Sequence, residues 1–363
     1  MSTVINVAIL FGGRSPEHKI SLLSAQNVIK SLDRTKYNPI LVGIDKSGQW
    51  HYHDKIMSLL HPDDVDKITL DNTSHKVLLS QNTDEKALLS QTTHDVISTI
   101  DVIFPVLHGT YGEDGSIQGL AKTANIPCVG CGLLGSAIGM DKDIMKRILR
   151  DAQIKVAKGI TVRNSSEGID YDSITADLGH ELFIKPANLG SSVGISFSDD
   201  EDSFYKALNN ALKYDSKVIV EEKISGREIE CAVLGNHNPK ASIPGEIVPK
   251  STFYSFENKY VDAEGAALHI PAKLTEAQTN AVQKLALETY TVLECRGMAR
   301  VDMFLTEDDQ LIINEINTIP GFTNISMYPK LWEASGLPQT ELITELIELA
   351  VEECAFVNGL LMT

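Results

Sequence analysis

The sequence predicts an α/β and α+β protein of more than one domain, beginning with an open parallel sheet. Two observations carry this. Apolar strand-like runs alternate with helix signals over the first part of the chain, the βαβ pattern of a parallel sheet. Later, short strand signals dominate and end in "MARVDMFLTEDDQLIINEINTIPG", two apolar runs around a polar turn.

In order, "VINVAILFGG" reads as a buried strand ending in glycines. Ser15-Pro16-Glu17 then opens a helix, with Ser as N-cap, Pro at the first helical position and an acid in the first turn. "NPILVGID" and "DVIFPVLHG" are further strands, the second followed by a helix from Ser116. Between them, residues 54–95 form a polar excursion of weak periodicity. A helix after Gly135 carries "MDKDIMKRIL". Strands follow in "ELFIKPA", "SVGISFS", "SKVIVEEKI", "REIECAVL" and "ASIPGEIV", then a polar, aromatic-rich loop. Thr275 to Gln278 form a capping box at the start of the next helix, and an amphipathic helix from Thr340 closes the chain.

Composition narrows the function. The 363 residues suffice for two or three domains, and 43% hydrophobic with 22% charged residues is an ordinary soluble balance. With 32 basic against 49 acidic residues, the net charge of −17 argues against nucleic acid or an anionic membrane as main partner. No apolar run reaches the roughly 18 residues that span a bilayer. The start lacks the basic region of a signal peptide, and five cysteines do not read as a disulfide framework, so a cytoplasmic protein is expected. The C-x-x-C of Cys128 and Cys131 lacks a second metal-ligand pair.

The late hairpin offers the clearest chemistry. A two-residue turn at Asp308-Asp309 would set Arg300 opposite Asn317 and Asp302 opposite Glu315, all on one face. A one-residue slip would break this. The oxygens suit Mg²⁺, and the arginine suits a phosphate or a developing oxyanion. A solvated face laced with cross-strand salt bridges is the competing reading.

"KPANLGSSVG" fits neither the Walker A nor the dinucleotide fingerprint. Gly190 and Gly194 allow close backbone approach, Ser191 and Ser192 add hydroxyls, and Lys185 precedes them on a strand, so the loop could hold a phosphate. An ordinary hairpin loop competes. Lys142 lies early in its helix, where a surface lysine is the alternative. Glu221, Glu222 and Glu228 could accept from ribose hydroxyls or an exocyclic amine, or be solvated charges.

In this order these parts resemble the ATP-grasp fold and, more closely, the D-alanine–D-alanine ligases of bacterial cell-wall synthesis. The resemblance rests on "FGGRSPEHKIS", "HGTYGEDG", "MDK", "KPANLGSSVG", "GREIE", "NKY", "RVDMF" and "NEINTIPGFTNISMYP", and covers nearly the whole chain except the excursion. It implies an N-terminal α/β domain over 1–137 and a two-subdomain ATP-grasp fold over 138–225 and 226–363, with a mobile loop at 250–265. ATP would phosphorylate one D-alanine, and the amine of a second would attack the acyl phosphate.

Carried onto this chain, the resemblance implies that Lys142 and Lys185 hold the α and β phosphates, with Gly190 and Ser192 in the loop folded over them. The backbone at Glu221, Glu222 and Ile224 would read adenine, and Glu228 the ribose. Asp302, Glu315 and Asn317 would hold two Mg²⁺ ions, with Mn²⁺ as substitute. Arg300 would stabilise the oxyanion, and Glu17 would receive the first D-alanine's ammonium in a triad with Ser191 and Tyr260. Lys259 would approach the γ-phosphate, His108 would lie near the amino acids, and Ser326 and Met327 would line the second substrate site. No catalytic position departs from the pattern.

Tyr260, where D-lactate ligases carry His, and Met327, where resistance ligases tend to carry Arg, both favour D-alanine as second substrate. A homodimer with small-molecule partners is implied. The alternatives are a ligase using D-lactate or D-serine, a non-catalytic nucleotide-binding regulator, and a dinucleotide-dependent oxidoreductase. The last lacks the glycine fingerprint.

Overall fold

A computed structural model of the chain describes residues 4–53, 75–191, 193–249 and 266–360. Three sheets organise these residues.

The first sheet has seven strands. Ile5–Gly12 is flanked in parallel by Tyr37–Ile44 and Val102–Pro105. Its apolar run is wholly buried from Val7 to Phe11, as expected of a strand covered on both faces. The sheet is extended antiparallel by Trp50–His53, His75–Leu79, Ala87–Ser90 and Val96–Thr99. The described part of the polar excursion, residues 75–95, therefore contains two short strands, His75–Leu79 and Ala87–Ser90, which weak periodicity concealed.

The first helix begins at His18, later than the Ser-Pro-Glu signal predicts. Ser15 does not cap it; its hydroxyl accepts from the Glu17 N–H at 3.0 Å and closes a tight turn. Glu17 thus stands at the helix entrance.

The second sheet is antiparallel, in the order Ser196–Ser198, Leu182–Pro186, Lys217–Glu222, Gly159–Arg163. Helices Tyr171–Leu178 and Glu201–Ala211 contribute Tyr171, Ile174, Phe204 and Leu208 to a core made entirely within residues 160–220.

The third sheet runs through Ala266–His269, Gly245–Pro249, Arg227–Leu234, Met298–Leu305 and Leu311–Asn317, with Lys240–Ala241 beside Arg227–Leu234. Helix Glu276–Val292 opens on the expected capping box, Thr275 and Gln278 each bonding the other's backbone, and buries Val282, Ala286 and Tyr290 against the sheet. The C-terminal helix Gln339–Asn358 joins Val7, Ile9 and Phe11 of the first sheet to Ala232 and Leu234 of the third in one core.

The late hairpin pairs Arg300 with Asn317 and Asp302 with Glu315, by an unexpected route. Its strands end at Leu305 and Leu311, so the connection is five residues long, held by a Thr306 N–H to Gln310 carbonyl bond of 3.0 Å. That turn offsets Met303–Leu305 by one residue from the register a two-residue turn would give, and a bulge at Asn314 removes the offset.

All five cysteines are free thiols. Among the described residues no helix is long and apolar enough to cross a membrane.

Candidate active site

A cavity of about 400 Å³ opens where the sheets converge. It is lined by Glu17 and His108 from the segments that follow two strands of the first sheet, Gly190 and Ser191 from the glycine loop, and Glu228, Arg300, Asp302, Glu315, Asn317, Ser326 and Met327 from the C-terminal part. Residues far apart in sequence thus meet at one cavity.

On the hairpin face, Arg300 donates to both oxygens of Asp302, from Nε and Nη2, each at 2.7 Å. Asn317 Nδ2 donates to Asp302 Oδ2 at 2.9 Å. Glu230, opposite Asp302 on the neighbouring strand, brings Oε2 to 3.0 Å from Arg300 Nε. Glu315 meets Lys142 Nζ at 3.3 Å, and that lysine also donates to the Leu189 carbonyl at 2.8 Å. Lys142 is buried, so it is not a surface lysine. It follows Asp141, which caps its helix by accepting from the Ile144 N–H at 3.1 Å.

Behind the cavity lies a buried ionic trio. Lys185 Nζ is 2.6 Å from Glu221 Oε2, and Lys146 pairs with Oε1. Burial would raise the Glu221 carboxyl, but the two ammonium groups outweigh it and hold the group down at about 2. Burial lowers Lys146 to about 8 against the pull of Glu221. Glu221's side chain is thus engaged with lysines, and its strand is paired on both sides, with Gly159 and with Phe183. Lys185 also reaches Asn314 Oδ1 at 3.4 Å. Glu222 accepts from the Lys158 N–H at 2.8 Å, and Ile224 is half-buried; neither lines the cavity.

Opposite the hairpin, Ser191 donates to Glu17 Oε1 and ties the glycine loop to the entrance of the first helix. Gly109 makes room for this carboxylate: it has φ +72°, and a Cβ there would lie 2.5 Å from Glu17 Oε2. His108 Nδ1 lies 3.5 Å from Glu113, and its Nε2 is 3.0 Å from Ser24 Oγ. Burial disfavours the charged ring, yet Glu113, helped by Glu17, holds its pKa above the ordinary value.

Ser326 accepts from the Thr323 N–H at 2.9 Å. Met327 is 4% exposed and packs where Gly245 leaves space; a Cβ at Gly245 would lie 2.4 Å from Met327 Cε. Ser192, Lys259, Tyr260 and the 250–265 loop lie outside the described residues.

Glu230, Lys146 and Asn314 were not picked out from the sequence. Glu230 stands two residues after Glu228, on the same face of its strand, and Lys146 one helical turn after Lys142. Those spacings were usable signals; nothing local marks Asn314 as a bulge.

The donor set fits Mg²⁺: two carboxylates and an amide on one face, short of a complete protein cage, as suits a cation shared with substrate phosphates. Among the described residues no group of three or more His, Cys, Asp or Glu could hold a metal by itself.

Comparison with known proteins gives the chain's family. Residues 6–131 match the family model described as D-ala D-ala ligase N-terminus, and residues 148–348 that of the D-ala D-ala ligase C-terminus. A D-alanine–D-alanine ligase of Oceanobacillus iheyensis is 52% identical over 95% of each chain. D-alanine–D-alanine ligase A of Escherichia coli is 48% identical over 99% of each. Among solved structures, the D-alanine–D-alanine ligase of Coxiella burnetii is 39% identical with TM-score 0.83, covering 98% of this chain and 97% of that one. A D-Ala:D-Ser ligase of Enterococcus faecalis is 35% identical with TM-score 0.86, covering 96% and 100%.

Proposed function

The chain belongs to the D-alanine–D-alanine ligase family, and from that premise we propose how its cavity serves the ATP-dependent joining of two D-alanines. A carboxylate is a poor electrophile. Transfer of the γ-phosphoryl group of ATP to the first D-alanine's carboxylate gives an acyl phosphate and ADP. The second D-alanine's amine, once it has lost a proton, adds to the carbonyl; the tetrahedral adduct expels phosphate and leaves D-alanyl-D-alanine.

The observation that carries this reading is the meeting, in one cavity, of the Glu17–Ser191 pair with Arg300, Asp302, Glu315 and Asn317. Glu17 receives the first D-alanine's ammonium, oriented by Ser191 and by Tyr260. Arg300 stabilises the oxyanion of the adduct. Lys142 and Lys185 hold the α and β phosphates, Lys259 approaches the γ-phosphate, and Gly190 and Ser192 lie in the loop over them. The backbone from Glu221 to Ile224 reads adenine, and Glu228 the ribose. Asp302, Glu315 and Asn317 hold Mg²⁺ or Mn²⁺, which when bound neutralises charge on the phosphates. His108 and Ser326 position the amino acids. Closure of the loops shields the acyl phosphate from water.

Met327 supports D-alanine as the second substrate: a buried thioether gives D-serine's hydroxyl only a weak partner, and an unpaired polar group costs about 1–3 kcal/mol. The likeness to a D-Ala:D-Ser ligase keeps the mixed product as the second reading. A non-catalytic regulator would have little use for Arg300 beside two acids and an amide on one face. The proposal extends to a cytoplasmic homodimer supplying peptidoglycan precursors, with the charge of −17 supporting small-molecule partners over nucleic acid.

The test is phosphate release from ATP and Mg²⁺, with D-alanine alone and then with limiting D-alanine plus excess D-serine or D-lactate, products identified by mass. D-alanyl-D-alanine as main product is expected in every case. A mainly mixed product would overturn the reading of Met327; ATP binding without turnover would overturn the catalytic one.

A further inference from the structure

Glu230 has no place in the scheme above, yet it is a carboxylate in the cavity wall with its side chain only 7% exposed. Its neighbours Ile229 and Cys231 are fully buried and face the core, so the pleat turns Glu230 to the same side as Glu228, Arg300 and Asp302. A buried carboxylate is costly unless paired, and among the described residues Arg300 Nε lies 3.0 Å from it.

Among the described residues Arg300 therefore meets two carboxylates. It forks Asp302 with two bonds of 2.7 Å, while Asn317 takes a further position on Oδ2. The carboxylate assigned to a divalent cation is thus engaged by a cation already. Metal at Asp302 puts two positive charges on one carboxylate, and repulsion pushes the guanidinium away. Glu230 is the acid placed to receive it.

We infer that Glu230 is a positioning residue for Arg300: it retains the guanidinium in the cavity when a divalent cation takes Asp302, so that oxyanion stabilisation and metal binding can coexist. This rests on the roles proposed above for Arg300 and Asp302.

The experiment uses full-length Glu230→Gln and Glu230→Asp, with Arg300→Lys as a control on the premise. Mn²⁺ affinity of the ADP complex is read from the paramagnetic resonance of free Mn²⁺, alongside kcat, KM and the melting temperature. Glu230→Gln is expected to weaken Mn²⁺ binding and lower kcat, each by about 10–100-fold, with KM for ATP little changed. Glu230→Asp, which keeps the charge, recovers part of both. If Glu230→Gln only lowers the melting temperature, Glu230 is a structural ion-pair partner and the inference fails. Lost turnover with unchanged Mn²⁺ affinity would overturn the handover. Normal turnover by Arg300→Lys would overturn the oxyanion role itself, a result separable from the behaviour of Glu230.

Discussion

Lys185 lies 2.6 Å from Glu221, whose other oxygen is taken by Lys146. Lys146 thus sets how strongly Lys185 is drawn back from a phosphate. Lys146→Met leaves Glu221 with Lys185 as its neutralising charge among the described residues, tightening that pair. The KM for ATP is expected to rise several-fold, and stability to fall by about 3 kcal/mol, as when one partner of a buried pair is removed. Steady-state kinetics and urea unfolding check both.

Arg300 is held by a bidentate fork, a geometry that lysine cannot reproduce. Arg300→Lys should lower kcat by about 10²–10³, the usual loss when an oxyanion donor is removed. Single-turnover measurement of peptide formation from the acyl phosphate would locate the loss in the second chemical step.

Ser191 bonds Glu17 across the seam between the glycine loop and the entrance of the first helix. Ser191→Ala removes a donor to a buried carboxylate, at a cost of about 1–3 kcal/mol. The KM for the first D-alanine should rise by about tenfold or more. An unchanged KM would show that the pair does not orient Glu17.

Gly245→Ala places a methyl 2.4 Å from Met327 Cε and 2.8 Å from Leu331 Cδ2. The flexible methionine end yields toward the cavity. The KM for the second D-alanine should rise more than that for the first, with stability falling by about 1 kcal/mol. Substrate titration and thermal melting check this.

His108 supplies a pH dependence. Burial opposes its charged form, but Glu113 and Glu17 raise its pKa above 6.5. The folded state then binds more protons than the unfolded one between the two values. The contribution is complete below 6.5 and disappears as pH rises through the higher folded value. Urea unfolding from pH 6 to 9 should show wild type losing its advantage over His108→Gln; a constant difference would show that the raised pKa is wrong.

The hairpin shows how far sequence reasoning reached. Alternation placed Arg300 with Asp302, and Glu315 with Asn317, on common faces, and the facing pairs are as expected. The route was not legible: a five-residue connection replaces the two-residue turn, and the bulge at Asn314 compensates. Non-local pairing decides where an extra residue is absorbed, and Asn314 carries no local mark of it. Glu17 was found through its motif while its helix start was misplaced, because Ser15 closes a turn instead of capping. The strands within 75–99 escaped because each is only four or five residues long and their burial follows no common alternation.

The second sheet keeps its apolar core to itself, whereas the first and third share one. Mechanically, the molecule is a vice with a fixed jaw of two fused sheets and a separate jaw carrying Lys185 and the glycine loop. Contacts such as Ser191–Glu17 and Lys185–Asn314 are polar latches that water can replace when the jaws part. The Lys146–Glu221 pair, buried at the rear, is the pin on which the loose jaw hangs. Parting the jaws at the latched edge would break polar contacts and leave each hydrophobic core whole.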